Sequence, residues 1–491
     1  MNNTETNTHK VVKGISSQTF VTIILGLVEI VSFSIMSRLL TQEDFGYYAA
    51  ITAITVVFAT FSETGIGSAI VQQKELSTSY INNAFTISLL FGGFISLSLL
   101  VLASPLARSV ADESMKTPLM MMSCTLLLNC LTSVNMSLMQ RKLQFIRMGM
   151  IQLVSLVITT CIAIGLAYKG YGYYAIITKA ILGSVITFFL SFYFCKTRFG
   201  FALDTNTFNR IFSFSGWLMA SSLFRNLSHQ IDKLLMPQLL SVNALGAYNR
   251  PKDFIEQISA KLNSIFDTAL FPILSGIQDE RSALNSAFRR SMSLMNTFAL
   301  FLSLCFMFNS GLLIRIFFGE QWLNLRDVML VVSGTILFNV DGRLADCYLR
   351  ALAMTKQQFF FRVFEFILNT IGVLAGFNWG VMGVAISILV TNSIAKIIKI
   401  IYIGNKVDVE FQDVLKLIFS SWRFAILMLP VCVCAYTLLP NTWTGDIIMT
   451  VIFVAITIVI FLFLPGIVGK QYQDEVYVKI IPLINKRIHL K

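Results

Sequence analysis

Arg225, His229, Asp232 and Lys233 fall at i, i+4, i+7 and i+8, so in a helix all four share one face, and Ser222 and Asn226 extend its polar edge. A little further on, Arg250, Asp253, Gln257 and Lys261 make one helical stripe, and Lys252, Glu256, Ser259 and Asn263 make a neighbouring one. Two such helices can wall a polar, net basic cavity. Its natural ligand is an anion: guanidinium forks bind oxyanions in pairs and stay charged at any physiological pH. Arg225, Arg250, Lys252, Arg38, Lys233 and Lys261 are therefore the candidate binding residues. The competing reading is mutual neutralisation, with Arg225 paired to His229 or Asp232, Lys252 paired to Glu256 at i+4, and Arg38 reaching an interface from a helix end.

Carboxylates set in apolar sequence suggest a second kind of chemistry. Glu29, Glu63 and Asp232 are candidates for ion coupling, because a buried carboxylate can exchange a proton or hold a cation. Asp341, Arg343, Asp346 and Arg350 alternate in sign and read instead as a structural network. Trp217, Phe224, Tyr47 and Tyr248 lie close to these positions, where an amphipathic ring can stack on a sugar or simply pack.

Other chemistries lack their residues. No GxxxxGK[ST] loop is present, so ATP hydrolysis is not the drive, and GIG at 65–67 is only a fragment of a dinucleotide fingerprint. Three histidines, two of them the terminal His9 and His489, and eight cysteines without ligand spacing predict no metal and no cofactor.

Whatever positions these residues must do so in a membrane. Of 491 residues, 55% are hydrophobic and only 13% charged, with a mean hydropathy of +0.72. An ordinary soluble protein is about a quarter charged. Arg225, Asp232 and Lys233 on one spanning helix would cost roughly 8 to 10 kcal/mol if they faced lipid, so that helix must face protein or water. Apolar runs of spanning length predict an all-α polytopic protein of about fourteen helices: 15–40, 45–70, 80–104, 117–139, 147–168, 172–195, 211–238, 244–272, 288–310, 327–350, 357–377, 380–403, 421–439 and 445–468. The first is an uncleaved helix, since no small-residue cleavage site follows the polar start. Taking the N-terminus as cytoplasmic puts roughly 24 Lys and Arg on that side against about five opposite, which places both termini in the cytoplasm. The formal charge of +12 belongs to this asymmetry, and nucleic acid is not an expected partner.

The chain also repeats. MSRLLTQEDFGYYAAI (36–51) aligns without gaps with MPQLLSVNALGAYNRP (236–251) at an offset of 200: Met, Leu-Leu, Gly and Tyr recur, Thr41 matches Ser241 and Phe45 matches Leu245. Two six-helix bundles follow, 1–195 and 211–405, joined by a cytoplasmic linker at 196–210 and followed by a helix pair and tail at 406–491. Pro237, Pro251 and Pro272 bracket the eighth helix, where breaks would serve a rocking motion, and Gly372 and Gly376 permit close packing in the eleventh.

SRLLTQEDFGYYAAI (37–51), ETGIGSAIVQQKELS (63–77), the Asn-Asn-Ala-Phe at 82–85, FSFSGW (212–217), the Asp-Lys-Leu-Leu at 232–235, LGAYNRP (245–251) and FPILSGIQDE (271–280) together resemble bacterial polysaccharide exporters of the Wzx type. These belong to the multidrug/oligosaccharidyl-lipid/polysaccharide (MOP) superfamily, with the multidrug extruders and the lipid II flippase. The resemblance spans helices 1–12 and implies a V-shaped, two-lobed transporter of the bacterial inner membrane. It would move an undecaprenyl-diphosphate-linked oligosaccharide from the cytoplasmic to the periplasmic leaflet by alternating access. The implied partners are that lipid-linked oligosaccharide, membrane lipids, H+ or Na+ as coupling ion, and a polysaccharide polymerase, with the protein itself a monomer. A multidrug or lipid II exporter is the alternative, although cationic drugs would prefer an acidic cavity. A membrane enzyme of polysaccharide assembly would want a longer external loop than the 15 or so residues predicted here.

Overall fold

The structure is a computed structural model. It describes residues 21–463 except 23, 63–66, 68, 69, 72, 74, 75, 197–199, 203 and 421, without the side chains of 62, 205–219, 262, 264–269, 420 and 461–463. Glu63 therefore lies outside the described residues, as do His9 and His489, and the side chain of Trp217 is not described.

The described residues are almost wholly helical, as a chain in lipid requires, since each backbone N–H and C=O must find its partner inside the segment. In chain order the helices are α1 (24–39), α2 (Gln42–Ser62), α3 (Thr78–Val110), α4 (Lys116–Arg141), α5 (Phe145–Tyr168), α6 (Tyr173–Cys195), α7 (Thr205–Leu239) and α8 (Val242–Gly276). Then follow α9 (Arg281–Phe308), α10 (Ser310–Phe317), α11 (Arg326–Ser333), α12 (Thr335–Ala351), α13 (Thr355–Gly376), α14 (Gly380–Lys406), α15 (Phe411–Ser420), α16 (Trp422–Leu438) and α17 (Trp443–Phe463). Among the described residues, 10 helical segments are long and apolar enough to cross a membrane, and three of them hold two helices each: Glu320–Ala351 (α11 and α12), Thr355–Lys406 (α13 and α14) and Phe411–Leu438 (α15 and α16). The chain is a multi-pass membrane protein. Neither α7 nor α8 falls in those apolar segments, in keeping with the charges read from their sequence.

Several boundaries differ from the sequence reading for visible reasons. The run 327–350 is two helices, α11 and α12, interrupted at Gly334. α7 starts at Thr205, inside the segment expected to be a linker. α10 and α15 have 8 and 10 residues, too short for a search based on spanning length. α15 is nonetheless firmly seated, with Val414 and Ile418 buried while Phe411 and Phe419 are exposed. Pro237 lies within α7, and Pro251 and Pro272 within α8, so each is accommodated inside a helix rather than marking an end.

The spanning helices carry two apolar faces. On α3, Leu90, Phe94, Leu97 and Val101 form an exposed stripe while Ile87, Ile95 and Leu99 are buried. In water such a stripe would be a liability; in a membrane it is the face that meets lipid tails. Hydroxyls on these helices bond their own backbone, as in Thr55 Oγ1 to Ile51 O (2.9 Å) and Thr60 Oγ1 to Val56 O (2.9 Å).

The chain divides into two compact units, Met1–Asn249 and Arg250–Lys491. Within the first, α3, α4 and α6 pack in series, α5 lies on α6, and α2 packs along α7. α1 is held to this group through Ser32, whose hydroxyl accepts from Lys179 Nζ of α6 at 2.6 Å. Within the second, α13 and α14 form a close antiparallel pair in which Gly372 lies against Thr391 and Gly376 against the backbone of Gly383. α12 lies between that pair and α9, around a core of Phe288, Met292, Leu344, Tyr348, Ile400 and Ile403.

Candidate functional site

In the first unit the polar face of α7 runs from part-buried Arg225 and Asn226, past exposed His229, to buried Asp232 and Lys233. Asn226 Nδ2 donates to Thr60 Oγ1 of α2 at 2.7 Å, tying that face to a neighbouring helix. Asp232 Oδ1 accepts from the Lys233 backbone N–H at 2.9 Å. Arg38, near the end of α1, is exposed, and Glu29, in the same helix, is part-buried.

In the second unit Arg250 and Lys252 are buried on α8, while Asp253, Glu256 and Lys261 are part-buried. Lys252 Nζ stands 3.7 Å from Glu256 Oε1, so the i+4 neutralisation considered above is formed. A pair of this geometry contributes about 0.3 to 0.5 kcal/mol where solvent reaches it, and so does not fully account for a buried lysine.

Two of the aromatic candidates are occupied in packing. Tyr47 donates its hydroxyl to Asp112 Oδ2 at 2.7 Å, and its ring lies 5.0 Å from that of Tyr173. Tyr248 is 2% exposed. Outside the membrane spans, desolvation pushes the Asp112 carboxyl up, but bonds from Ser114 and Tyr47 outweigh it and hold the group below its ordinary range.

The densest charge cluster escaped the sequence reading. Asp346 of α12, Arg362 and Glu365 of α13, and Lys396 and Lys399 of α14 form one network inside the second unit, every side chain at most 8% exposed. Arg362 bonds Asp346 at 2.5 Å and Glu365 at 2.7 Å; Lys399 reaches Asp346 at 3.1 Å and Glu365 at 2.6 Å; Lys396 reaches Glu365 at 2.8 Å. Asp346 is thus networked, its carboxylate through α13 and α14 and its backbone carbonyl through Arg350 of its own helix, whose Nε donates to it at 3.4 Å. The available signal was Arg362/Glu365 and Lys396/Lys399, each at i, i+3 in consecutive apolar helices.

A second buried cluster anchors the last two helices. Arg315 of α10 donates to Asp446 of α17 at 2.7 Å and to the Asn441 carbonyl at 2.8 Å, with Arg315 and Asp446 only 4% and 3% exposed. Arg326 stacks on Tyr436, 3.9 Å from its ring centroid, and the Tyr436 hydroxyl donates to Asp327 at 2.6 Å.

Among the described residues no group of three or more His, Cys, Asp or Glu could hold a metal ion. Each unit thus offers cationic side chains on a long polar helix: Arg225 and Lys233 on α7 in the first, and Arg250, Lys252 and Lys261 on α8 in the second.

Comparison with known proteins agrees with this architecture. The chain is 23% identical over 432 residues to the lipopolysaccharide biosynthesis protein WzxC of Escherichia coli (strain K12), covering 87% of each. It is 22% identical over 350 residues to the putative O-antigen transporter of Shigella flexneri, covering 67% of this chain and 82% of that one. Among solved structures, the lipid II flippase MurJ in its inward closed conformation superposes with a TM-score of 0.68 at 14% identity, covering 90% of this chain and 98% of that one. An inward-facing multidrug resistance MATE family transporter of the MOP superfamily gives a TM-score of 0.60 at 13% identity, covering 79% and 98%. These structures share the fold. The family described as "Polysaccharide biosynthesis protein" matches residues 35–327, well over half of the sequence, and the chain belongs to that family.

Proposed function

We propose that the protein is a flippase that carries undecaprenyl-diphosphate-linked oligosaccharide units from the cytoplasmic to the periplasmic leaflet by alternating access, through a cationic cavity. The observation that carries this reading is the conjunction of a family named for polysaccharide biosynthesis with α7 and α8, two long helices too charged to sit in lipid. The fold it shares with a lipid II flippase over 90% of its length supports it, as do relatives named as an O-antigen transporter and as a succinoglycan biosynthesis transport protein.

In this reading Arg225 and Arg250 grip the diphosphate, with Lys233, Lys252, Lys261 and Arg38 adding positive potential along its path. Residues 1–195 and 211–405 are the two rocking lobes. Both termini are cytoplasmic, the membrane is the bacterial inner membrane, and the drive is a gradient of H+ or Na+ or the membrane potential, with Glu29, Glu63 and Asp232 as coupling carboxylates. The multidrug alternative is disfavoured because a cavity lined by arginine and lysine repels cationic drugs.

The test is transport of a labelled undecaprenyl-diphosphate oligosaccharide in proteoliposomes, comparing wild type with Arg225→Ala/Arg250→Ala, with and without pH or Na+ gradients. Movement by the wild type and its loss in the double variant are expected. Undiminished movement in the double variant would overturn the diphosphate assignment, and no movement by wild type under any gradient would overturn the flippase reading.

A further inference from the structure

Five residues before Asp346 on α12, Asp341 is 2% exposed and meets Asn296 of α9, which is 0% exposed. Asn296 Nδ2 donates to Asp341 Oδ2 at 2.8 Å. That bond leaves Asp341 Oδ1 and Asn296 Oδ1 each buried without a hydrogen-bond partner among the described residues. Both are acceptors, and an acceptor without a donor in an apolar interior is a defect of about 1 to 3 kcal/mol, more when the group is charged. The two defects belong to one side-chain pair, and one added hydrogen repairs both. A proton on Asp341 Oδ1 neutralises the carboxylate, and the new O–H can donate to Asn296 Oδ1, closing the acid and the amide into a doubly bonded pair.

The surroundings offer no substitute for that proton. The charged groups on α13 and α14 beside α12 are Arg362, Glu365, Lys396 and Lys399, all bonded to Asp346 or to one another. On α9, Arg289 pairs with Asp413 and Arg290 is exposed; on α11, Arg326 lies against Asp446 and Asp327 holds Tyr436. Arg343 and Arg350 are the other charges on α12 itself, and Arg350 bonds the Asp346 carbonyl. Among the described residues no cation pairs with Asp341.

We propose that Asp341 and Asn296 form an exchangeable proton site within the membrane helices of the second unit. The neighbouring network gives its occupancy a consequence. Three cations there face two carboxylates, so an ionised Asp341 brings the buried side chains of α12, α13 and α14 to charge balance, whereas a protonated one leaves an excess of one positive charge. The Lys396 side chain lies directly against Gly342, the residue after Asp341, and extends from there to Glu365, so the two sites share α12 and are in packing contact. Proton arrival at Asp341 therefore alters the electrostatic balance that holds α12 to α13 and α14.

The site's use as a drive rests on the flippase reading, but its existence is measured without substrate. Infrared difference spectra of the full-length protein in nanodiscs, recorded between acid and alkaline buffer, are expected to contain the C=O band of a buried protonated carboxyl. The band is expected to disappear in Asp341→Asn, which keeps shape and pairing, and to persist in Glu29→Gln and Asp232→Asn. Asn296→Ala retains the carboxyl and is expected to shift the band to that of an acid without a hydrogen-bond partner, so the proposal can be read even if Asp341→Asn folds poorly. An unchanged band in Asp341→Asn would overturn it. So would binding of radioactive Na+ by wild type that Asp341→Asn abolishes, which would make the site one for sodium. Loss of transport alone, with the band intact, bears on the flippase reading only.

Discussion

Gly46 and Gly246 touch reciprocally: Gly46 lies against the carbonyl of Val242, and Gly246 against the carbonyl of Gln42. An offset of 200 residues maps Gly46 onto Gly246 and Gln42 onto Val242, so each half of the contact is the image of the other. The local chemistry repeats as well. Thr41 Oγ1 accepts from the Asp44 N–H at 3.2 Å, and Ser241 Oγ accepts from the Ala244 N–H at 3.0 Å, so each hydroxyl caps the start of its helix, α2 or α8. The repeat seen as letters is thus a pair of equivalent helix starts crossing at a point with room for no side chain.

Valine at either glycine is therefore expected to block the crossing. A β-carbon there would meet backbone, which cannot swing aside as a side chain can, and overpacking of this kind costs about 1 to 3 kcal/mol or more. Gly246→Val and Gly46→Val should reach the membrane but lose polysaccharide export in a complementation assay. Gly93→Val, with open space around its α-carbon, should export normally.

Removing one carboxylate from the buried network should be the most damaging single change in the second unit. Glu365 accepts from Arg362, Lys396 and Lys399, and Glu365→Gln leaves three cations facing Asp346 alone. Breaking a buried ion pair on one side costs about 3 to 5 kcal/mol, because the remaining charge stays buried. Fluorescence-detected thermal unfolding in detergent should show a large drop for Glu365→Gln, with part of it recovered when Lys396→Met is added.

That network also shows where the sequence stopped being informative. The all-helical, membrane-spanning character and the unusual polarity of α7 and α8 were legible because hydropathy is a property of each segment alone. The repeat was legible because its glycines and hydroxyl caps do the same local work twice. The network was not, because Asp346, Arg362, Glu365, Lys396 and Lys399 are up to 53 positions apart and only packing of three helices brings them together. α15 was missed because ten residues cannot span a bilayer, and Asp341 read as one charge among four because its buried amide partner, Asn296, lies on another helix.

Acid should loosen the connection between α3 and α4. Asp112 is held below its ordinary range, so its bonds to Tyr47 and Ser114 stabilise the fold fully above the unfolded value near 3.8, and that stability is lost as pH falls through the depressed folded value. Tyr47→Phe removes the bond that crosses from α2. Its thermal unfolding should be slightly lower than wild type at pH 6, and the difference should shrink steadily in buffers below the ordinary carboxylate range. A difference that grows toward acid pH would contradict the assignment.

Arg315 should decide whether the last two helices stay attached. It is 4% exposed, and its guanidinium reaches Asp446 on α17, the carbonyl of Asn441 in the loop before it, and Glu320 at 3.2 Å. Gly311, one turn earlier on α10, lies against the Asp446 carboxylate, so nothing larger fits between them. Arg315→Ala would leave Asp446 with Arg326 at 3.8 Å as its remaining cation, a longer pair without the same directed bond. Losing one member of a buried pair costs about 3 to 5 kcal/mol, and here the loss falls on the junction rather than on the core around Tyr348. Limited proteolysis should therefore cut Arg315→Ala at 439–443 well before wild type, while the rest of the second unit stays resistant. Arg315→Lys keeps the charge but cannot reproduce the planar fork, and should fall between the two. Equal cleavage of Arg315→Ala and wild type would show that α16 and α17 are held by their apolar contacts alone.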